Sequence, residues 1–293
     1  MENVKDLNLD FNLSENTGFQ ATQLAKAVGI IKRMKKDNAK IFLSFTSNMV
    51  ASGLRGLFVE LCKRKFVDVI ITAGGSIDHD LIRTYKNYHI GDFSMDDKEL
   101  HKKGINRIGN ILVPNECYVE LEKRMKPIFE TCYSKYGKII APSELTYEIG
   151  KTLNEKSFLY WCSKNEIPVY SPGITDSAIG LQTYFFKQKK KDFGIDVTKD
   201  MNKLAQIVLT ADKTGGIILG GGISKHHAIA VNILRGGLDY AVYVTTSSPW
   251  DGSLSGARTQ EAVSWGKIKE DANYVTVDCD ATIAFPLIVN GVL

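Results

Sequence analysis

Gly216-Ile-Ile-Leu-Gly-Gly-Gly222-Ile-Ser-Lys-His-His-Ala-Ile-Ala230 holds a strand, a turn and a helix start in one segment. The apolar run ending at Leu219 reads as a strand buried on both faces. Gly220-Gly-Gly222 is the turn, and a helix follows through Ala228 to Leu234. The same order recurs upstream. Ile41-Phe-Leu-Ser-Phe45 leads into Thr46-Ser-Asn48 and a helix from Val50 to Lys63. Val67-Asp-Val-Ile-Ile-Thr72 leads into Ala73-Gly-Gly75 and a helix near Asp78 to Tyr85, and Tyr240-Ala-Val-Tyr-Val244 is another buried strand. Short unbroken apolar runs alternating with helices predict an α/β fold. Its doubly wound, mostly parallel sheet carries helices on both faces, as in Rossmann-like nucleotide-binding proteins. Ligands in such folds sit at the carboxyl ends of the strands, where all these turns fall. Ahead of the first strand, Leu24, Ala27, Val28, Ile31 and Met34 recur at helical spacing and read as a core-facing stripe. Residues from about 100 to 165 read as helical with aromatic positions. No linker rich in Pro, Gly or Ser interrupts the chain, so residues 1–293 are expected to form one unit.

Charged residues make up 24% and apolar residues 44% of the chain, the balance of a soluble globular protein. A net charge of +4 lacks the concentrated basic face of a nucleic-acid binder. The runs Lys32-Arg-Met-Lys-Lys36 and Lys187-Gln-Lys-Lys-Lys191 read as solvated faces. Five scattered cysteines without a C-x-x-C pair argue against a zinc site or a disulfide framework and suit a reducing cytoplasm. The first residues, Met1-Glu-Asn-Val-Lys-Asp6, are polar and acidic, unlike a secretory leader. No apolar run reaches the ~20 residues of a membrane helix.

Glu261-Ala-Val-Ser-Trp-Gly-Lys-Ile268 carries the chemistry. A lysine held beside an indole and a glycine backbone loses water, and lost water favours the free amine, a nucleophile, over the ammonium. Lys267 is therefore the candidate nucleophile, with an ordinary lysine beside a core tryptophan as the bland alternative. The glycine turns at 73–75 and 220–222 let backbone N–H groups approach a phosphate, although neither matches G-x-G-x-x-G. His226 and His227 open a helix at the ligand end of the sheet. Being adjacent, they point apart and do not form an i, i+4 metal pair, so no metal is expected. Asp78, Asp176, Asp239, Asp251, Glu261 and Asp280 lie near strand ends. Each singly reads as a cap or turn residue, but several around a narrow site would suit a polyamine.

Several ordered blocks carry a family resemblance. They are Thr17-Gly-Phe-Gln-Ala-Thr22, Thr46-Ser-Asn48, Ala73-Gly-Gly75, Gly104-Ile-Asn-Arg-Ile-Gly-Asn110 and Val113-Pro-Asn-Glu116. Further along come Ser171-Pro172 with Thr175-Asp176, Gly220-Gly-Gly222 with Lys225-His-His227, and Asp239-Tyr-Ala-Val-Tyr243. Asp251-Gly-Ser253, Ser255-Gly-Ala-Arg258 and Glu261-Ala-Val-Ser-Trp-Gly-Lys267 complete the set. Over nearly its whole length the chain resembles deoxyhypusine synthase. The resemblance implies an NAD-dependent transferase, usually a homotetramer with the dinucleotide at subunit interfaces. It moves the aminobutyl arm of spermidine to one lysine of the translation initiation factor 5A precursor. On that pattern Lys267 forms the imine, and His226 contacts the polyamine amine and takes its proton. Gly252, Ser253, Glu261 and Trp265 match polyamine-site positions. Ser47, Asn48, Thr72, Ala73, Gly74, Asp176, Gly221, Thr246 and Asp280 match cofactor-contacting positions.

Two departures stand out. Eukaryotic members of the family carry aspartates where this chain has Leu181 and Leu254. Each charged hydrogen bond lost there would weaken the hold on a terminal ammonium by ~1.5–3 kcal/mol. Ser76-Ile-Asp-His79 also replaces a shorter pair of glutamates, leaving Asp78 as the compensating carboxylate. These differences keep two other functions open. One is a relative that transfers to a free diamine, like homospermidine synthase; the other is a catalytically weak subunit that activates a paralogue.

Overall fold

A computed structural model of the protein describes residues 14–293. The polar opening Met1–Asp6 therefore lies outside the described residues. The chain divides into two compact units. The first takes in residues up to Phe45, Val67–Ile71 and Asn202–Leu293; the second takes in Thr46–Phe66 and Thr72–Met201.

The first unit is built on a parallel sheet. Its strands Ile268–Asp278, Leu238–Thr245, Thr214–Leu219, Lys40–Phe45 and Val69–Thr72 lie side by side in that order. Lys40–Phe45 pairs in parallel with Thr214–Leu219, Leu43 opposite Ile217. Leu238–Thr245 runs parallel to both of its neighbours, with Val244 opposite Leu219 and Thr245 opposite Asp278. Every residue of Thr214–Leu219 is buried, and so are all but one of Leu238–Thr245. Side chains alternate between faces along a strand, so full burial means that both faces are covered. Helix Phe19–Lys36 buries Leu24, Ala27, Ile31 and Met34 of the stripe expected from spacing, with Val28 half-buried, and leaves Lys32, Lys35 and Lys36 exposed. Met34 reaches Gly215, where an added Cβ would sit 2.7 Å from its sulfur. The glycine thus lets the helix close on the sheet. The α/β, mostly parallel architecture read from the sequence is the one observed.

Local detail differs from the pattern. The helix expected from Val50 to Lys63 is broken into Ser47–Ala51 and Arg55–Lys63. Ser52 Oγ donates to the Met49 carbonyl and accepts from Leu54 N–H, so a local side-chain bond at Ser52 ends the first helix after Ala51. In the second unit, the segment read as helical contains Asn115–Tyr136, Pro142–Lys151 and Phe158–Asn165. It also contains an antiparallel hairpin, Ile105–Ile108 against Ile111–Pro114. No helix among the described residues is long and apolar enough to cross a membrane.

Candidate active site

The first unit places a cavity of about 290 Å³ beside the end of helix Thr259–Ser264. The helix stops for a local reason. Gly266 adopts φ +65°, Gly266 N–H donates to the Val263 carbonyl and Lys267 N–H to the Ala262 carbonyl. A left-handed glycine of this kind turns the chain back on itself and satisfies the last helical carbonyls. Lys267 is thereby set at the head of the strand Ile268–Asp278, where its own carbonyl accepts from Leu238 N–H. Its side chain is 9% exposed, and its Nζ lies 5.1 Å from the centre of the Trp265 ring. Glu261 and Trp265 are four apart and share the helix face that borders the cavity.

The opposite contribution comes from helix Gly222–Ala230, which supplies Lys225 and His226. Burial, then the neighbouring Lys267 charge, lowers the pKa of His226. Lys225 is fully buried. Its Nζ donates to the Ala257 carbonyl at 2.7 Å and lies 4.6 Å from the Tyr243 ring centre. Burial brings its pKa down to about 8; Glu261 opposes the shift, while Arg258 and Lys267 add to it. Arg258 is engaged with Asp278 as an ion pair.

The structure thus gathers Lys267, His226, Gly252, Glu261 and Trp265 around one cavity. Ser253 lies exposed in the same loop, its N–H held by Asp251. His227 is not among the lining residues. Sequence reading gave no role to Tyr243, and Lys225 entered it only within the block Lys225-His-His227. Alternation along the Tyr240–Val244 run and the position of Lys225 beside His226 were the signals available.

The cofactor candidates fall into a group in each unit. In the first, Gly221, Thr246 and Asp280 follow three adjacent parallel strands that end at Leu219, Thr245 and Asp278. Gly220 and Gly222 have φ of +81° and +69°, and an added Cβ on Gly221 would sit 2.2 Å from Ser255 Oγ. Asp280 caps the last helix by accepting from Thr282 N–H. In the second unit, Ser47 and Asn48 open one helix and Gly74 another, with Thr72 and Ala73 just before it. Ser47 packs against Gly75, and Ser177, next to the exposed Asp176, packs against Gly74. Bare glycine backbone at strand ends, followed by helix starts and flanked by hydroxyls and carboxylates, fits a dinucleotide, whose phosphates and riboses need those partners. Asp78, in contrast, is buried, and its carboxylate accepts from Ala178 and Ile179 N–H. Burial raises its pKa to about 7 against the pull of those two bonds.

A family model described as deoxyhypusine synthase matches residues 11–292. A Pyrococcus furiosus protein named "Probable deoxyhypusine synthase" is 45% identical, covering 99% of this chain and 91% of its own. One of the same name from Thermoplasma acidophilum is 48% identical over 93% of this chain and 88% of its own. A solved structure of "a putative deoxyhypusine synthase from Entamoeba histolytica" superposes with a TM-score of 0.68 at 24% identity, covering 94% of this chain and 88% of that one, a likeness of fold. The chain belongs to the deoxyhypusine synthase family.

Proposed function

We propose that the protein transfers the aminobutyl arm of spermidine to a lysine of the translation initiation factor 5A precursor, with NAD as resident cofactor. The observation that carries this reading is the convergence of Lys267, Trp265, Glu261 and His226 on one cavity. NAD, when bound, supplies hydride uptake from the carbon beside the secondary amine and hydride return at the end. Gly221, Thr246 and Asp280, at strand ends of the first unit, would hold it, and the family resemblance implies cofactor contacts also for Ser47, Asn48, Thr72, Ala73, Gly74 and Asp176. His226, with its lowered pKa, is neutral near pH 7 and takes the proton of the secondary amine. Lys267 gives up its ammonium proton as Nζ bonds to the oxidised carbon, the bond from that carbon to nitrogen breaks, and diaminopropane leaves carrying the proton. The acceptor lysine then displaces Lys267. Trp265 offers its ring face to an ammonium, and Glu261 offers a carboxylate. The reaction needs a site closed to bulk water, which would otherwise hydrolyse the imine. Assembly as a homotetramer with shared sites belongs to the same reading.

The test incubates the purified protein with NAD, spermidine labelled in its butyl arm, and either the factor precursor or putrescine. Label is expected on the precursor, with one diaminopropane released per transfer. Label only in a small polyamine would overturn the acceptor and favour transfer to a free diamine. Borohydride added during turnover should fix the label on Lys267.

A further inference from the structure

We infer that Cys62 and Cys162 are a modification site: a peroxide closes them into a disulfide that ties helix Arg55–Lys63 to helix Phe158–Asn165 while the chain stays folded. The inference does not depend on the proposed transfer reaction. Both thiols are free and buried, and Cys162 Sγ donates to Cys62 Sγ at 3.5 Å although the two residues are 100 apart in the chain.

The two helices, both in the second unit, are held in matched register from end to end. At their starts the fully buried Asp80 accepts from Arg55 Nε at 2.6 Å, from Ser157 Oγ at 2.6 Å and from Leu159 N–H at 3.0 Å. Further along, the Phe58 and Phe158 rings meet edge to face with their centres 6.4 Å apart. At the far end Asn165 Nδ2 donates to the Cys62 carbonyl at 2.8 Å and to the Lys63 carbonyl at 3.2 Å. Ties on both sides of the sulfurs keep the backbones from sliding past one another. A disulfide sets its sulfurs ~2.0 Å apart, so closure asks for about 1.5 Å of approach. Rotation of the two side chains can supply that with the helices in place.

A single buried cysteine is an inert, small apolar core residue. A second sulfur in contact changes what oxidation does, because the partner thiol stands ready to displace water from the oxidised one. In the net reaction the two S–H bonds and the peroxide O–O bond break, one S–S bond forms and two waters leave. The thiols lose two electrons and the peroxide gains them; a dithiol reverses the step. Burial, and after it the neighbouring Cys62 sulfur, raises the pKa of the Cys162 thiol. Thiolate is the reactive form, so closure is slow and answers sustained oxidation rather than a brief pulse. Joining residues so far apart in sequence restricts the unfolded chain and favours the folded one.

Peptide mapping of the full chain tests this. The native protein is incubated with hydrogen peroxide, its remaining thiols are alkylated in denaturant, and it is digested without reductant for mass spectrometry. The Cys62 and Cys162 peptides are expected to be joined, lighter by two hydrogens than their sum, and to separate again with dithiothreitol. The thermal unfolding midpoint of the cross-linked protein should exceed that of the same sample re-reduced with dithiothreitol by about 5 °C or more. Cys62→Ala and Cys162→Ala should each remove the linkage and the rise. Should either variant fail to fold, the map of the native protein still decides. The half-buried Cys279 reports that the oxidant has acted. Oxidation of Cys279 with Cys62 and Cys162 both still alkylated overturns the inference. So does a linkage that forms only in urea, or a midpoint no higher than that of the re-reduced sample.

Discussion

Lys267 Nζ lies 5.1 Å from the centre of the Trp265 indole, and a single left-handed glycine separates the two residues in the chain. Both face one cavity because the chain turns back at Gly266 between them. Lys267→Ala should abolish transfer and borohydride trapping while NAD affinity, measured by fluorescence titration, stays unchanged. Trp265→Ala should weaken donor binding roughly two- to fivefold, the ~0.5–1 kcal/mol of an exposed cation–π contact. Full transfer by Lys267→Ala would show that another amine is the nucleophile, with Lys225 next in line.

Gly266→Ala tests the turn itself. A Cβ at φ +65° is disfavoured by about 1–2 kcal/mol. Thermal unfolding should show a loss of that size. Turnover should fall by more than the stability change explains, because the same turn aims Lys267. A variant with native stability and native turnover would show that the left-handed conformation is dispensable.

His226 and Lys267 are electrostatically linked. The Lys267 charge adds to burial in holding the histidine pKa down. Lys267→Met should therefore raise the titration midpoint of His226, followed through its ring proton by NMR, with the burial contribution remaining. His226→Ala should slow transfer by about 10²–10⁴, the usual worth of a general base. An unmoved midpoint in Lys267→Met would separate the two groups.

Asp78 should make stability depend on pH in the acid range. Folded, its carboxyl keeps a proton up to about pH 7; unfolded, only to its ordinary 3.8. Between those values the folded chain binds more protons. The contribution of Asp78 is thus fully present below the unfolded pKa and is lost as pH rises through about 7. Asp78→Asn keeps an acceptor for the helix start but removes the titration. The urea midpoint of the variant, relative to the native protein, should gain with rising pH across that window. A constant difference would mean that Asp78 is ionised throughout.

Much of the fold was legible because parallel strands covered on both faces leave unbroken apolar runs. Ile217, Ile218 and Leu219, or Ala241 to Val244, permit few other readings, and the turn after each run marks where ligands meet the sheet. The helix break at Ser52 was not legible, since it rests on one hydroxyl choosing the Met49 carbonyl. The hairpin at 105–114 was missed because short alternating runs carry little periodic signal.

By itself the sequence determined the parallel α/β architecture, the nucleophile candidate and the glycine turns, all of which are properties of contiguous residues. Only the tertiary structure decided what stands opposite them. It alone shows Lys225 buried against Tyr243 and bonded to Ala257, Leu254 set in the cavity wall, and Asp78 spent on the start of a distant helix. Burial, desolvation and pairing depend on which groups meet across long stretches of chain, and periodicity along the chain holds no record of that meeting.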